Sequence, residues 1–489
     1  MVIRESDAPN AFVVPDSREG WCELISRVLE SFFETGKSFE FSTRAIRERG
    51  EDIKGFGGKT AGPEPLQKAV GKLSGVLQHF SGKTISPTGM MDLLCIIGEM
   101  VVAGNVRRSA ILILGDASDD EYLKSKRWDL GELPSHRAMA NLSVAVRSFS
   151  DLTGQFWETY EHGEPFGIVH AENIQKYGRM GDLKHDDAVG VNPCAETTLT
   201  NGEPCNLQDL FLPRFSNEAE LIEAARLMHR WGKRITCEKF HHEVNARAVE
   251  KYRRIGTGIT GCLQSKLFNA ETLDRTYSAI QEENIAYSRE LGIAESIRTT
   301  VVKPSGTLSL LGDCLPGIHP AYSRYYIRRV RFDKADPLVN ALRIAGHPVE
   351  QAYGIDGKPD VNTLIVSFPC EAPEGAPIAD EGFGTFEQLD VLKFAQSHWA
   401  DQSVSVTVYY DRASLGKIQT WLRDNLSQIK TVSFLAHSDH GFKQAPLEKL
   451  SAEAYEKMLK PIKRADFEHV PMGFESDLSD CEGTACPAK

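Results

Sequence analysis

Between Val191 and Leu207 the chain places two thiols, a carboxylate and an amide close together, as Val191-Asn192-Pro193-Cys194-Ala195-Glu196-Thr197 and then Asn201-Gly202-Glu203-Pro204-Cys205-Asn206-Leu207. In an extended segment side chains two apart share a face, so Asn192, Cys194 and Glu196 are expected to converge on one small molecule. A neighbouring carboxylate raises a thiol pKa, which is wrong for a thiolate nucleophile but suits a thiol that reacts as neutral S–H or as a radical. General-base duty then falls to Glu196. Singly, a cysteine is more often a small buried hydrophobe and a glutamate a solvated carboxylate, so the weight rests on the whole string.

Three further segments carry chemistry. Lys303-Pro304-Ser305-Gly306-Thr307-Leu308-Ser309 offers Ser305, Gly306, Thr307 and Ser309, small residues whose hydroxyls and backbone N–H groups can surround phosphate oxygens. It lacks the Gly-Lys-Ser/Thr of a Walker A loop, and alone it would read as a plain turn. Arg107 and Arg108 are additional phosphate candidates, against the commoner role of an Arg pair on a solvated or salt-bridged face. Near the C-terminus, Cys481 and Cys486 sit in a small, polar stretch after Pro471, a composition expected to form a mobile tail over 471–489. A tethered thiol pair suits disulfide exchange, whereas zinc wants four ligands and no neighbouring Cys or His supplies them.

The elements that must position these groups alternate between helix and strand. Trp21, Leu24, Ile25, Val28, Leu29, Phe32 and Phe33 recur at helical spacing between Asp16 and Gly36, with Asp16 as the expected N-cap. Helices are also expected from Gly89 to Ala103, Asn217 to Trp231, Ser414 to Leu426 and Ala452 to Leu459. Strands are expected over Ala110–Leu114, Leu142–Val146, Leu364–Phe368 and Val404–Tyr410, and a surface loop over Glu371–Gly384. The alternation predicts one large α/β domain with a parallel sheet over residues 1–470, and periodicity leaves open whether that sheet is a barrel or doubly wound.

Composition excludes several classes. At 489 residues, 41% hydrophobic and 25% charged, the chain is of ordinary globular type and needs no disulfide staples. Its formal charge of −12 argues against a dedicated nucleic-acid or anionic-membrane binder. The apolar run Leu93 to Ala103 is shorter than the roughly 20 residues of a membrane span and contains Glu99, and the first ten residues lack the apolar core of a signal peptide. Ten cysteines without framework spacing read as reduced thiols, so a cytoplasmic location is expected.

Asn192-Pro193-Cys194-Ala195-Glu196, with Cys205 eleven residues beyond Cys194, resembles the active-site finger loop of ribonucleotide reductases. Four more segments, in the family's order, resemble the adenosylcobalamin-dependent (class II) monomeric triphosphate-reductase branch. They are Gly104-Asn105-Val106-Arg107-Arg108-Ser109-Ala110, Arg253-Arg254-Ile255-Gly256-Thr257-Gly258, the stretch from Lys303 to Ser309, and Cys481-Glu482-Gly483-Thr484-Ala485-Cys486-Pro487. The resemblance implies a ten-stranded α/β barrel with the finger loop at its centre. It implies that Cys194 is the thiyl radical, Glu196 the base at the ribose 3′ hydroxyl, Asn192 a hydrogen-bond partner of the ribose hydroxyls and Cys205 one of the two reducing thiols. Ser305, Gly306, Thr307 and Ser309 become a substrate-phosphate site, and Cys481 with Cys486 a shuttle re-reduced by a thioredoxin-type protein. The implied cofactor is adenosylcobalamin, contacted mainly between Ala345 and Asp411 and between Ser433 and Phe474. Tyr409 and Tyr410 also suggest the tyrosine relay of reductases with a separate metal-containing radical subunit. Their setting, Val404-Ser405-Val406-Thr407-Val408-Tyr409-Tyr410-Asp411, lacks that relay's context.

The resemblance also implies, ahead of the segment at Asp16, a first barrel strand whose cysteine pairs with Cys205, together with an effector-binding insertion; neither is expected in this chain. The upstream thiols are Cys22 and Cys95, both on expected helices and both expected to be core residues. The expectation is therefore a split, truncated or mis-started reductase. In the split case an N-terminal partner chain completes a barrel edge, and the rival reading is a catalytically silent, nucleotide-binding component of such an assembly.

Overall fold

A computed structural model describes residues 2–53, 59–103, 106–107, 109–162, 164–181, 184–334, 336–353, 358–379, 381–437, 444–468 and 470. The N-terminal strands β1 (Ile3–Glu5) and β2 (Phe12–Val13) both run parallel to β3 (Phe39–Ser42), which lies between them. Helix α1 (Arg18–Glu30) is capped by Ser17, whose side chain accepts from the Gly20 N–H. Asp16, the expected cap, is instead held 2.7 Å from Arg47. The helix expected to reach Gly36 ends in a five-residue π turn, Ser31–Thr35, closed by Gly36 at φ 65°.

Helices α2 (Glu64–His79) and α3 (Pro87–Met100) complete this region. Leu24, Val28, Phe41, Leu66 and Leu73 pack there into a core of their own. Helix α3 is apolar on more than one side because it serves two cores: Leu93, Ile96 and Met100 face the N-terminal one, and Met91 and Cys95 face the main one.

The main sheet positions the site. Strands β4 (Ile111–Asp116), β5 (Ala140–Val146) and β6 (Gly167–His170) run parallel to one another. Strands β7 (Leu207–Phe211) and β8 (Gly256–Thr260) form a second parallel pair, linked through α4 (Glu218–Ile235) and α5 (Glu243–Tyr252) and followed by α6 (Ala270–Leu291). Asn217 caps α4 through the Glu220 N–H.

The chain then leaves for a separate antiparallel sheet, β9 (Tyr325–Asp333), β10 (Val349–Tyr353) and β11 (Pro359–Glu371). It returns through α7 (Thr385–His398) to β12 (Thr407–Tyr410), α8 (Leu415–Asn425) and β13 (Thr431–Ala436). The last strand, β14 (Leu447–Lys449), pairs with β9, and α9 (Ala452–Leu459) packs on that sheet with Tyr455 stacked 4.7 Å from Tyr325.

Strand β13 pairs parallel with β12 and antiparallel with β6. Single parallel bridges, Thr257 to Thr300 and Val302 to Val404, carry the order on from β12 to β8. Two parallel sets, β4-β5-β6 and β13-β12-β8-β7 with residues 300–302 lying between β12 and β8, thus meet antiparallel at β6 and β13.

One expectation is corrected. Among the described residues no ladder joins β4 to β7, so the parallel array is open between those edges; a closed ten-stranded barrel is not confirmed, and the expected barrel is itself one lacking its N-terminal strands. The strand expected at Leu364–Phe368 is the middle of the thirteen-residue β11, which belongs to the antiparallel sheet rather than the parallel array. Alternation with helices cannot separate the two kinds of sheet when a strand's partners are its near neighbours in sequence.

Candidate active site

Gly190–Val191 pairs antiparallel with Thr198–Leu199, and residues 192–197 form the tip of this short hairpin. Three hydrogen bonds close it. Asn192 N–H donates to the Thr197 carbonyl at 3.0 Å, Ala195 N–H to the Asn192 carbonyl at 2.8 Å, and Thr197 N–H to Asn192 Oδ1 at 2.9 Å. Ala195 sits at φ 64°, a left-handed conformation that costs a non-glycine residue free energy. The tip is therefore a tight turn and not the extended segment expected from spacing. Asn192 and Glu196 are buried in its base while Cys194 is exposed at its end.

Both strand sets hold the tip. From β5, Asn141 Nδ2 donates to the Pro193 carbonyl at 2.9 Å. From the other set, Thr431 Oγ1 donates to the Ala195 carbonyl at 3.2 Å and Ser403 N–H to the Glu196 carbonyl at 3.0 Å. The Ser403 and Thr431 hydroxyls lie 2.6 Å apart. Sequence reading missed all three anchors, because each lies more than fifty or two hundred residues away along the chain.

Burial, reinforced by the Glu196 carboxylate and by Cys205, pushes the Cys194 thiol up to about 11. Burial and Glu196 likewise raise Cys205, which is exposed beside the hairpin. At neutral pH both are therefore S–H groups. Burial raises Glu196 above the ordinary carboxyl range, with the Asn192 amide pulling the other way. One carboxylate oxygen of Glu196, Oε2, is buried with no hydrogen-bond partner in the protein, the state expected of a group waiting for a substrate hydroxyl.

The arm that carries Cys205 rests on a buried ion cluster. Arg254 Nε donates to Glu203 at 2.9 Å and its Nη1 to Asp186 at 2.9 Å, and Asp186 also accepts from Arg298. All four side chains are 2% exposed or less. Arg254 belongs to the Arg253–Gly258 motif, so that segment serves the site through support.

In the 303–309 turn, Ser305 adopts φ 50° and its hydroxyl donates to Asp209 Oδ2 on β7. That hydroxyl is thus committed to a carboxylate rather than free for phosphate. Ser309 N–H donates to the Ser305 carbonyl at 3.0 Å, and its own hydroxyl oxygen is buried without a partner. Gly306 and Thr307 are exposed, and Arg328 of β9 donates to the Gly306 carbonyl at 3.1 Å. Lys303 Nζ lies 3.9 Å from Asp209. Asp209, Lys303 and Arg328 were not assigned from sequence; a lone carboxylate inside the strand Leu207–Phe211 was the available signal.

Cys95 is fully buried in α3, but Cys22 is exposed on the outer face of α1 rather than in a core. Tyr410 is buried and donates to the Tyr160 carbonyl at 2.8 Å, while half-buried Tyr409 meets the rings of Tyr322 and His437. Arg108, Cys481 and Cys486 lie outside the described residues. Of the regions expected to contact a cofactor, 354–357, 380, 438–443, 469 and 471–474 lie outside them too. Among the described residues no helix is long and apolar enough to cross a membrane.

Along 97% of its length the chain is 33% identical to the adenosylcobalamin-dependent ribonucleoside-triphosphate reductase of Lactobacillus leichmannii, covering 70% of that protein. The corresponding reductase of Lactobacillus acidophilus is 34% identical over the same shares. The chain belongs to this reductase family. A crystal structure of a B12-dependent (class II) ribonucleotide reductase superposes with a TM-score of 0.75 at 30% identity, over 96% of this chain and 70% of that one. Residues 2–77 match the family described as the insertion domain of B12-dependent ribonucleotide reductases. That match corrects the expectation that this reductase chain carries no insertion: β1 to β3, α1 and most of α2 are the insertion.

Proposed function

We propose that this reductase converts ribonucleotides, as triphosphates, to 2′-deoxyribonucleotides, with Cys194 as the radical-bearing thiol. The observation that carries the reading is the meeting of Asn192, Cys194 and Glu196, with its unpartnered Oε2, on one anchored hairpin, with Cys205 beside it. Adenosylcobalamin, when bound, supplies the radical chemistry that oxidises Cys194. Tyr409 and His437, from the two segments assigned to it, meet at Tyr322, with His437 stacked on Tyr322 and Tyr409 edge-on to both. This aromatic cluster would contact it together with neighbours from the same segments.

The protein's own groups do the rest. The Cys194 thiyl takes hydrogen from the ribose C3′, and Glu196 accepts the 3′-hydroxyl proton. Asn192 orients the ribose hydroxyls. The 2′ hydroxyl leaves as water, and two electrons and two protons come from Cys205 and a second thiol, which become a disulfide. Cys194 then returns hydrogen to C3′. The exposed backbone of Gly306 and Thr307, with Arg328 beside it, receives the substrate phosphates, and Ser305 and Ser309 shape that turn. Cys481 and Cys486 re-reduce the disulfide by exchange and pass the electrons on from a thioredoxin-type protein.

The test is an anaerobic assay of the chain with adenosylcobalamin, dithiothreitol and ribonucleoside triphosphates beside Cys194→Ala. Deoxynucleotide formed over many equivalents by the parent and absent from the variant is the expected result. Product that persists in Cys194→Ala, or that does not depend on the cofactor, overturns the reading.

A further inference from the structure

One buried guanidinium holds both limbs of the hairpin and the turn that follows it. Arg254 donates from Nη1 to Asp186 Oδ2 at 2.9 Å and from Nη2 to Asp186 Oδ1 at 3.1 Å. Asp186 Oδ1 also accepts from the Ala188 N–H at 3.1 Å, at the foot of the entering strand. On the returning strand, the Thr198 hydroxyl lies 3.5 Å from Arg254 Nη1. Arg254 Nε donates to Glu203 Oε1 at 2.9 Å, and the other Glu203 oxygen accepts from the Thr200 N–H at 3.0 Å and the Thr200 hydroxyl at 3.2 Å. Glu203 stands two residues before Cys205. One residue after Cys205, the Asn206 carbonyl accepts from the Gly256 N–H at 2.8 Å. The side chain of Arg254 and the backbone of Gly256 therefore hold the chain on both sides of Cys205. There is little slack: the side chains of Arg254, Asp186 and Glu203 are 2% exposed or less, and a Cβ on Gly256 would meet Leu207 Cδ2 at 2.6 Å.

We propose that Arg254 is a positioning residue for the reduction step: it ties the hairpin that presents Cys194 to the turn that presents Cys205, and so fixes the reducing thiol relative to the radical-bearing one. The inference rests on the roles given to those two thiols in the proposed function. The planar fork of the guanidinium meets acceptors on three segments at once, which the single ammonium of Arg254→Lys does not.

The place of Cys205 decides the fate of the substrate once water has left and the radical stands at C2′ beside a C3′ ketone. With Cys205 in position, its S–H gives hydrogen to C2′ and the second thiol completes the disulfide. With Cys205 displaced, C2′ takes hydrogen from the Cys194 S–H instead. That restores the thiyl, and the substrate has lost one water with no electrons drawn from the thiol pair, as a 3′-keto-2′-deoxynucleotide. The ketone acidifies the C2′ hydrogen. Loss of that proton expels the base from C1′, the bonding pair leaving with the base, which then takes up a proton. Free base and deoxynucleotide are thus alternative products of one radical event, and their ratio is independent of how much of the protein is folded.

The test counts both products from one substrate, ATP, in anaerobic reactions of the full chain with adenosylcobalamin and dithiothreitol. Glu203→Gln weakens the Cys205 limb alone, and Arg254→Lys loosens all three. Both should raise the ratio of free adenine to deoxyadenosine triphosphate by about tenfold or more, since misplacing a reacting group by about 1 Å can cost on the order of 10²-fold. Arg127→Met is the control: it removes another buried arginine, bound at 2.8 Å to Asp129 and to Glu158, and should leave the ratio at the parental value. A parental ratio in both Glu203→Gln and Arg254→Lys, or an equal rise in Arg127→Met, overturns the proposal. A second readout needs no turnover: in iodoacetamide labelling located by mass spectrometry, Cys205 should gain on Cys194 in Glu203→Gln. If the parent forms neither product, the functional reading falls and labelling alone decides, as it does where a variant forms neither. Unchanged relative labelling then overturns the role of Arg254, and a gain of Cys205 supports it.

Discussion

The Thr431 hydroxyl donates to the carbonyl of Ala195, one residue past the reactive thiol, at 3.2 Å. Ala195 is held at φ 64°, so a hydrogen bond from the second strand set stabilises the strained turn that presents Cys194. Thr431→Val keeps the shape and removes the donor. We expect a loss of about 1 kcal/mol in stability and a lower kcat with unchanged nucleotide affinity. Urea denaturation and equilibrium binding check the two halves; weakened binding with normal turnover would contradict the role given to this contact.

Glu196 is a buried carboxyl whose proton affinity is raised above its ordinary value near 4.5. As pH rises, the unfolded chain gives up this proton first and the native state later, so native stability falls between the ordinary and the raised value. Glu196→Gln should therefore melt higher than the parent at pH 7.5, lose that advantage below pH 4.5, and make no product. Calorimetry at both pH values reads the sign.

Arg254 bridges Glu203 and Asp186 beneath Cys205. Arg254→Met leaves two buried carboxylates with one fewer cation between them, and a loss of about 3–5 kcal/mol is expected, because breaking a buried pair strands its charges. Cys205 should then react with alkylating reagents faster than in the parent. Near-parental stability in this variant would show that Arg298 alone satisfies Asp186.

A Cβ on Gly258 would meet Asp209 Oδ1 at 2.8 Å, the Gln208 carbonyl at 3.0 Å and Lys303 Cδ at 3.1 Å. Gly258→Ala should cost about 1–3 kcal/mol by overpacking and reduce activity more than its effect on stability explains. Thermal melts beside turnover measurements test it.

Cys481→Ser with Cys486→Ser addresses the tail. With dithiothreitol the double variant should turn over like the parent, and with a thioredoxin-type reductant it should stop after about one equivalent. Equal turnover with both reductants removes the shuttle from the mechanism.

The proposed chemistry is legible in the sequence because it is local. Asn192, Cys194, Glu196 and Cys205 lie on one hairpin arm and its return, and the helices with clear caps, at Asn217 and Ser451, begin where the sequence places them. Resemblance of five ordered segments gave the family, and the comparisons agree with it. Strand alternation failed at residues 192–196, where the chain turns instead of extending, since the Asn192 side chain caps the turn through Thr197 N–H. The N-terminal insertion was missed because its short strands and helices pack on a core of their own and share no motif with the site.

What the sequence by itself determined is therefore the set of proposed reacting groups and the alternation of helix and strand, both written in residue type and short spacing. The tertiary structure decided which strands pair, that β11 leaves the parallel array, and that Asn141, Ser403 and Thr431 hold the hairpin. It also set Lys303 3.9 Å from the buried carboxylate of Asp209. The physical reason is range: a hydrogen bond or an ion pair between residues separated by long loops has no local signature, and the low-dielectric interior that raises Glu196 and Asp209 exists only after the chain has packed.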